Sequence, residues 1–313
     1  MRTLVVGAGA IGGYFGGRLV EAGRDVTFLV RPKRAAELAS LGLNIRSRFG
    51  DFSIPRPKAI LAENLREAYD LILLSCKAFD LDNAIDSFAP AVGAATAILP
   101  LLNGMRHLDV LDQRFGASHV LGGQCLIAAT LNEKREIAHL NENHDLSFGE
   151  RDGSLSPRVQ AISRLMEGVR FNARASQKIL LEMWEKWMFL ASAASSTCLM
   201  RASIGDICSS PGGLDYILGV LDECRRIAAA EGQQVRDESY NRARDMLTER
   251  ASTLTASMLR DIERNGPIEA DHIVGDLLQR GMRHGVSGSD SFLKVAYTHL
   301  KSYEARRARS STT

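Results

Sequence analysis

The sequence has few of the patterns that mark metal, redox or membrane proteins. Its five cysteines are odd in number and form no C-x-x-C pair, which predicts reduced thiols and a cytoplasmic location. The seven histidines contain no H-E-x-x-H motif and no pair four residues apart, so no metal site is expected. No continuous apolar run approaches about 18–20 residues, and we therefore expect no membrane span.

The chain also lacks a strong excess of charge of either sign. Its 39 lysines and arginines nearly balance its 37 aspartates and glutamates. Residues 300–313 hold a local charge of +3, which leaves the rest of the chain at about −1. Such a body has no concentrated basic face, which argues against binding to a nucleic acid. We expect the last residues, Ala308 to Thr313, to be disordered.

The 313 residues are enough for two domains, and the first part alternates apolar runs with helical patterns. This alternation predicts an α/β fold with a parallel, doubly wound sheet. The predicted strands are Thr3–Val6, Asp25–Val30, Asp70–Ser75 and Ala97–Leu102, with a helix over Ala10–Ala22. Three further runs should extend or edge this sheet: His119–Leu131, Glu136–Leu140 and Asp145–Phe148. The polar stretch between His139 and His144 is expected to be a loop.

Helical periodicity dominates from Ser176 nearly to the end, which predicts an all-helical second domain. The predicted helices are Gln177–Leu199, Leu214–Glu231, Tyr240–Arg264, Ile268–Arg283 and Ser289–Arg307. We place the boundary so that residues 1–172 and 173–313 form the two domains. The stretch Leu214–Glu231 can serve either as core or as a subunit interface, so a homodimer is one expected assembly.

A glycine motif of the form G-x-G-x-x-G follows the first strand and opens the first helix. It consists of Gly7, Ala8, Gly9, Ala10, Ile11 and Gly12. The first glycine permits a tight turn, the second lets a pyrophosphate approach, and the third allows close packing of helix on strand. The helix N-terminus offers N–H groups and a positive dipole end to phosphates. This context predicts a Rossmann dinucleotide-binding domain; the alternative is a glycine-rich turn without a ligand.

The end of the second strand indicates which dinucleotide binds. An acidic residue there would accept hydrogen bonds from the ribose of NAD, but the sequence has Arg31, followed by Lys33 and Arg34. A guanidinium can pair bidentately with a 2′-phosphate. We therefore predict NADP(H) as the cofactor, with Arg31 as its reader. The alternative is a solvated basic turn.

Two polar residues, Lys77 and Asn103, follow later strands of the predicted sheet. Both should lie at its carboxyl edge, where open α/β folds bind ligands. Asn103 is followed by glycine, so a plain turn or a helix cap explains it equally well.

Several short motifs occur in a specific order and spacing along the chain. After the glycine motif come Ser-Cys-Lys77-Ala, Leu-Asn103-Gly-Met, Trp184-Glu-Lys186, Ser257-Met-Leu-Arg-Asp261, and Ile-Glu269-Ala-Asp271 followed by Gly275. Together they resemble the ketopantoate reductase (2-dehydropantoate 2-reductase) family over nearly the whole length. The resemblance implies a Rossmann domain over 1–172 and a helical substrate and catalytic domain over 173–313, like that of 6-phosphogluconate dehydrogenase.

The resemblance also implies a role for each matched residue. Lys186 is the implied general acid, which protonates the carbonyl oxygen of the substrate as hydride arrives from NADPH. Asn103 is implied to contact nicotinamide and substrate, and Lys77 to line the cofactor site. Ser257 is implied to bind the carboxylate end of the substrate. Glu269 is implied to lie near the reacting group and the cofactor.

Local patterns offer structural explanations for the same residues. Lys186 has apolar neighbours three and four positions away on its helix, and an ammonium that loses solvation is a better proton donor. It is alternatively the partner of Glu182, four residues earlier. Glu269 is alternatively a helix cap, as the third helical residue after a start at Pro267. Ser257 is alternatively an ordinary serine on a helix surface.

Four positions where the family has substrate-binding asparagines are apolar here: Leu190, Ala194, Ile204 and Leu254. A pocket without these amides discriminates less well in favour of a hydroxyl-bearing substrate. The first predicted function is NADPH-dependent reduction of 2-dehydropantoate to pantoate, a small 2-oxo acid, in pantothenate biosynthesis. The alternatives are reduction of a more apolar ketone or 2-oxo acid on the same scaffold, and a non-catalytic NADP(H)-binding sensor.

Overall fold

The computed structural model describes residues 1–310, which fall into two compact units. The first unit comprises Met1–Leu102 and His107–Leu180. The second comprises Asn103–Arg106 and the chain from Leu181 onward. The short segment Asn103–Arg106 thus belongs to the second unit although it is flanked by the first. Within residues 1–310, no helix combines the length and apolar character needed to cross a membrane.

The strands lie in the first unit and form two sheets. In chain order they are β1 (Thr3–Val6), β2 (Val26–Leu29), β3 (Leu43–Arg46), β4 (Phe52–Ile54), β5 (Ala59–Ile60), β6 (Leu71–Leu74), β7 (Ala97–Pro100), β8 (Gly122–Leu131), β9 (Ile137–Gly149) and β10 (Asn172–Ala175). The first sheet has the order β5-β2-β1-β6-β7 and is parallel throughout. Strands β1, β6 and β7 are buried along their whole length, which explains their continuous apolar runs. The predicted parallel sheet is confirmed.

The second sheet has the order β10-β9-β3-β4, with β8 antiparallel to β9. The prediction that the later strands extend or edge the first sheet is therefore wrong, except at the start of the first run, where Val120 forms an isolated parallel bridge with Ile98 of β7. The loop predicted between His139 and His144 is also wrong, because both residues lie inside β9. The buried ring of His144 finds a hydrogen-bond partner in the hydroxyl of Tyr14, with 2.8 Å between Nδ1 and the oxygen. Among residues 1–310, no group of three or more potential metal ligands is present.

Helix α1 lies between the two sheets, and it has a glycine at its contact with each of them. The helices that begin before residue 170 are α1 (Ala10–Glu21), α2 (Pro32–Leu41), α3 (Leu81–Phe88), α4 (Arg106–Phe115) and α5 (Pro157–Leu165). A Cβ added to Gly16 would lie 2.7 Å from the Phe28 ring on β2, and one added to Gly17 would lie 2.7 Å from Ile45 Cδ1 on β3. Only glycine allows the helix to approach both sheets this closely.

The second unit is helical. Its elements are α6 (Ile179–Met200), α7 (Ile204–Ser209), α8 (Gly213–Ala230), α9 (Asp237–Leu247), α10 (Ser257–Glu263), a π-helical turn (Asp271–Gly275), α11 (Asp276–Arg283) and α12 (Phe292–Ser310). Helix α6 supplies much of the core, since Ala191 and Cys198 are fully buried. The buried carboxylate of Glu223 accepts hydrogen bonds from the hydroxyls of Ser287 and Ser291, both at 2.6 Å, and so holds the start of α12.

The single helix predicted over Tyr240–Arg264 is wrong, because the chain leaves the helix between α9 and α10. Its backbone carbonyls there accept hydrogen bonds from the start of α7. The Gly205 N–H donates to Ser252 O at 2.9 Å, and the Ile204 N–H donates to Leu254 O at 3.0 Å. These tertiary hydrogen bonds replace the ones that a continuous helix would make.

The disorder predicted from Ala308 onward is wrong for Ala308–Ser310, which continue α12. Arg307 and Arg309 lie in the last turn of that helix, where positive charge is favourable for the helix dipole. The remainder of that prediction, residues 311–313, lies outside the described residues.

Candidate active site

The glycine motif forms a tight loop between β1 and α1. Gly7 has φ +93°, a left-handed conformation that favours glycine, and its N–H donates to Leu29 O at 2.9 Å. The Ser75 hydroxyl donates to Val6 O at 2.9 Å, which fixes the strand end beside the loop. A Cβ on Gly12 would lie 2.1 Å from both Gly7 O and Ser75 Oγ. Loop, helix and β6 therefore have no space for a side chain at this position.

Gly9 differs from its neighbours in the motif because it faces open space. A Cβ on Gly9 would meet no atom within 4 Å, and its φ is −80°. Gly9 is the N-cap of α1, which has no capping side chain and no acidic residue in its first turn. The first N–H groups of a helix lack partners within the helix and favour an anion. The loop thus fits the pyrophosphate of a dinucleotide.

The two arginines after β2 have different surroundings. Arg34 is held against the loop, because its Nε donates to Ala8 O at 3.0 Å and its guanidinium pairs with Glu37. Arg31 is exposed, and its guanidinium pairs with Asp80 at 2.7 Å. Asp80 lies in the short turn that follows β6. The exposed Lys77 is the residue at the start of this turn. Arg31 thus lies in the loop that follows β2, and Lys77 lies in the loop that follows β6. The sequence did not identify Asp80 as a neighbour of these residues.

In the second unit, the segment Asn103–Arg106 contacts the π-helical turn. Gly104 has φ +79°, and a Cβ there would lie 2.7 Å from His272 O. Such a close backbone approach requires glycine and brings Asn103 next to the turn. The π-helical turn replaces part of the regular helix predicted over Ile268–Arg283, and such turns are frequent at functional sites.

Glu269 and His272 form a buried pair of titratable groups at this turn. Both side chains are less than a tenth exposed. Burial lowers the pKa of His272 to about 4; the charges of Glu269 and Arg106 act on it in opposite directions. The imidazole is therefore neutral at pH 7. Neither His272 nor Arg106 was identified from the sequence, although His272 lies between Asp271 and Gly275 of the last motif and Arg106 directly follows the motif of Asn103.

Lys186 lies on α6, which contacts the same π-helical turn. Its neighbour Trp187 is buried, and the indole Nε1 donates to Ile273 O at 2.8 Å. Lys186 itself is half-buried. The structure therefore brings the helix of Lys186 and the segment of Asn103 to one turn, which begins two residues after Glu269.

The indole that makes this contact is held by a charged group behind it. The guanidinium of Arg280 lies 5.8 Å from the ring centres of both Trp184 and Trp187, within the range of a cation–π contact. Arg280 in turn pairs with Glu231 at 2.6 Å. No pattern in the sequence identified this support.

Ser257 is connected to a different part of α6. The N–H of Ala256 donates to Thr197 Oγ1 at 3.2 Å, which fixes the start of α10. Thr197 lies three helical turns after Lys186, roughly 16 Å along the axis. Ser257 is exposed. The contacts of its own segment thus do not bring it to the turn of Lys186.

The four apolar replacements of family asparagines fall into two groups. Ala194 and Ile204 are buried in the core of the second unit. Leu190 and Leu254 are partly exposed. Only the second group can therefore offer apolar surface to a ligand.

The buried histidine makes stability depend on pH. A folded pKa below the unfolded value favours the unfolded state as pH falls, because only the unfolded His272 takes up a proton. We expect this group to remove roughly 3 kcal/mol from the free energy of unfolding between pH 6.5 and about 4. Urea titrations measure the free energy of unfolding at each pH in this range. As pH falls, this free energy should decline less for His272→Gln than for the wild type. Parallel curves would contradict this assignment.

Comparison with known proteins identifies relatives over nearly the whole chain. The family model Ketopantoate reductase PanE/ApbA matches residues 3–153, and Ketopantoate reductase PanE/ApbA C terminal matches residues 178–301. The chain is 35% identical to Uncharacterized oxidoreductase YkpB of Bacillus subtilis, over 98% of this chain and 100% of that protein. It is 26% identical to 2-dehydropantoate 2-reductase of Archaeoglobus fulgidus, over 91% and 92% of the two chains.

Solved structures show the same fold. The 2-dehydropantoate 2-reductase from Methylococcus capsulatus superposes with a TM-score of 0.85 at 26% identity and covers 98% of both chains. D-mandelate dehydrogenase with NADH and anilino(oxo)acetate superposes with a TM-score of 0.86 at 18% identity, over 98% of this chain and 100% of the other.

A Rossmann-type unit with a glycine-rich loop, joined to a helical unit, is the architecture of an oxidoreductase of the nicotinamide-dependent class. This chain belongs to the ketopantoate reductase family. The predicted family and the predicted fold class are both confirmed.

Proposed function

We propose that this chain reduces 2-dehydropantoate to pantoate with NADPH. The observation that carries the proposal is the contact of α6 and of the segment Asn103–Arg106 with one π-helical turn, which follows Glu269. Membership in the ketopantoate reductase family supports the same reaction. The proposal includes a role in pantothenate biosynthesis.

In this proposal the first unit holds the cofactor. The loop Gly7–Gly12 binds the pyrophosphate, Arg31 binds the 2′-phosphate, and Lys77 lines the site. When bound, the nicotinamide supplies the hydride. The fit rests on the space above Gly9 and on the N–H groups at the start of α1.

The second unit supplies the proton and the orientation of the substrate. Lys186 Nζ gives a proton to the carbonyl oxygen, and its positive charge stabilises the developing alkoxide. Asn103 orients the carbonyl and contacts the nicotinamide. Ser257 is left out of the carboxylate site in this proposal, because its segment contacts α6 roughly 16 Å along the axis from Lys186. Glu269 supports the site beside the neutral His272.

A second candidate is reduction of a more apolar ketone or 2-oxo acid. The partly exposed leucines at positions 190 and 254 favour it, because they offer no hydrogen bond to a substrate hydroxyl. The shared fold with D-mandelate dehydrogenase, bound to anilino(oxo)acetate, makes an aryl 2-oxo acid the natural comparison.

NADPH oxidation with a substrate panel tests the proposal. The panel contains ketopantoate, 3-methyl-2-oxobutanoate and phenylglyoxylate, and the measured quantity is kcat/KM. We expect the highest value for ketopantoate. A higher value for an apolar 2-oxo acid would establish the second candidate instead, and NADPH binding without oxidation of any ketone would indicate a sensor.

Variants at Leu190 serve as a control for the same panel. Leu190→Asn introduces an amide one helical turn after Lys186, whereas Leu190→Ala only removes apolar surface. One hydrogen bond to the substrate hydroxyl should raise the preference for ketopantoate over 3-methyl-2-oxobutanoate by about fivefold in the asparagine variant only. Equal preferences in both variants would remove position 190 from the substrate site.

We also infer a homodimer in the cytoplasm. A structural relative is described as a dimeric ketopantoate reductase from Staphylococcus aureus. The five cysteines form no disulfide, and burial raises the pKa of Cys198 and Cys224 to about 12, so these thiols are unreactive. Sedimentation of the purified chain measures the assembly directly.

A further inference from the structure

The ion pair between Arg31 and Asp80 connects two loops at the carboxyl edge of the first sheet. Arg31 follows β2, and Asp80 lies in the turn after β6. In the sheet, β2 and β6 are the two neighbours of β1, whose end carries the glycine motif. The guanidinium and the carboxylate are 2.7 Å apart, with 67% and 30% of their side chains exposed. The pair therefore lies beside the loop that would hold the phosphates of a dinucleotide.

The carboxylate of Asp80 is not used to cap a helix. Asp80 is the N-cap residue of α3, where aspartate commonly accepts a hydrogen bond from the helix backbone. Its side chain makes no such bond. The carboxylate instead points to Arg31, the residue proposed to bind a 2′-phosphate.

We propose that Asp80 sets the preference between NADPH and NADH. The inference rests on the proposed function, in which Arg31 reads the 2′-phosphate. To bind Arg31, a 2′-phosphate must displace the carboxylate of Asp80. The phosphate and the carboxylate are both negatively charged, so they also repel each other. The ribose of NADH carries a 2′-hydroxyl instead, which can donate a hydrogen bond to that carboxylate. Asp80 thus weakens binding of NADPH, favours binding of NADH, and allows the chain to use both.

The Asp80→Asn variant tests this proposal by binding alone. We measure Kd for NADPH, NADH, adenosine 2′-monophosphate and adenosine 5′-monophosphate with the full chain and no ketone present. Release of one exposed ion pair should lower the Kd of NADPH and of adenosine 2′-monophosphate by about three- to fivefold. NADH should bind no better than to the wild type. The gain should shrink as ionic strength rises, because exposed charges are screened.

Two further variants separate this effect from a general change of charge. Asp25→Asn removes a similar exposed pair, between Asp25 and Lys58 at 2.9 Å, at the opposite end of β2. It should leave all four Kd values unchanged. In an Arg31→Gln background, Asp80→Asn should no longer tighten NADPH, since the two residues act as one pair.

Several outcomes would overturn the proposal. They are an unchanged or lower preference for NADPH in Asp80→Asn, a gain that persists without Arg31, or no binding of the 2′-phosphorylated probes. Thermal unfolding of each variant shows that it is folded. Because no 2-oxo acid is present, failure of the chain to reduce ketopantoate would leave these measurements intact and is a separate result.

Discussion

Replacement of Lys186 by alanine is expected to lower kcat with ketopantoate by about 10²–10⁴-fold. The ammonium is the proposed proton donor, and without it the alkoxide must form without a nearby positive charge. NADPH affinity should stay unchanged, because the residues proposed to hold the phosphates lie in the first unit. Stopped-flow measurement of NADPH oxidation gives kcat, and fluorescence titration gives Kd.

Two controls separate chemistry from folding in this experiment. Lys294→Ala removes an exposed lysine from α12 and should leave turnover unchanged. Added methylamine should partly restore turnover in Lys186→Ala, because a free amine can replace the missing proton donor. Wild-type kcat in Lys186→Ala would remove this residue from the mechanism.

Substitution of Gly12 by alanine should destabilise the first unit and abolish cofactor binding together. The added methyl would lie 2.1 Å from Gly7 O and from Ser75 Oγ, so the backbone of the loop must move. Overpacking of this kind typically costs about 1–3 kcal/mol. Thermal unfolding and NADPH titration measure the two effects.

Gly9→Ala provides the matched comparison in the same loop. Its methyl would meet no protein atom within 4 Å, and its φ of −80° suits alanine. The variant should therefore unfold at the wild-type temperature or slightly above it. It should still bind NADPH at least tenfold more weakly, by about 1.4 kcal/mol, because the methyl occupies the approach of the pyrophosphate. Wild-type affinity in Gly9→Ala would exclude the loop as the phosphate site.

The parts of the fold that the sequence predicts well are those set by local patterns. Strand β1 covers Thr3–Val6 as predicted, since a strand buried on both faces reads as an unbroken apolar run. The glycine motif is equally local, and its geometry follows from sterics within a few residues. The resemblance to the family added the prediction that a Rossmann domain is followed by a helical domain.

The parts that escaped prediction depend on contacts between distant residues. His144 is stabilised inside β9 by Tyr14, which lies 130 residues earlier. The π-helical turn has the apolar periodicity of an ordinary helix, and Trp187 contacts it from 86 residues away. Asp80 reaches Arg31 across 49 residues. No pattern within a short window reports such partners.

The segment Asn103–Arg106 affects how such enzymes can be recombined. It is encoded between β7 and α4, yet it packs with the second unit, where Gly104 meets the backbone of His272. A chimera that joins residues 1–180 of one relative to the C-terminal half of another would therefore place a foreign turn against His272. Grafts intended to transfer substrate preference should carry these four residues along with the C-terminal half.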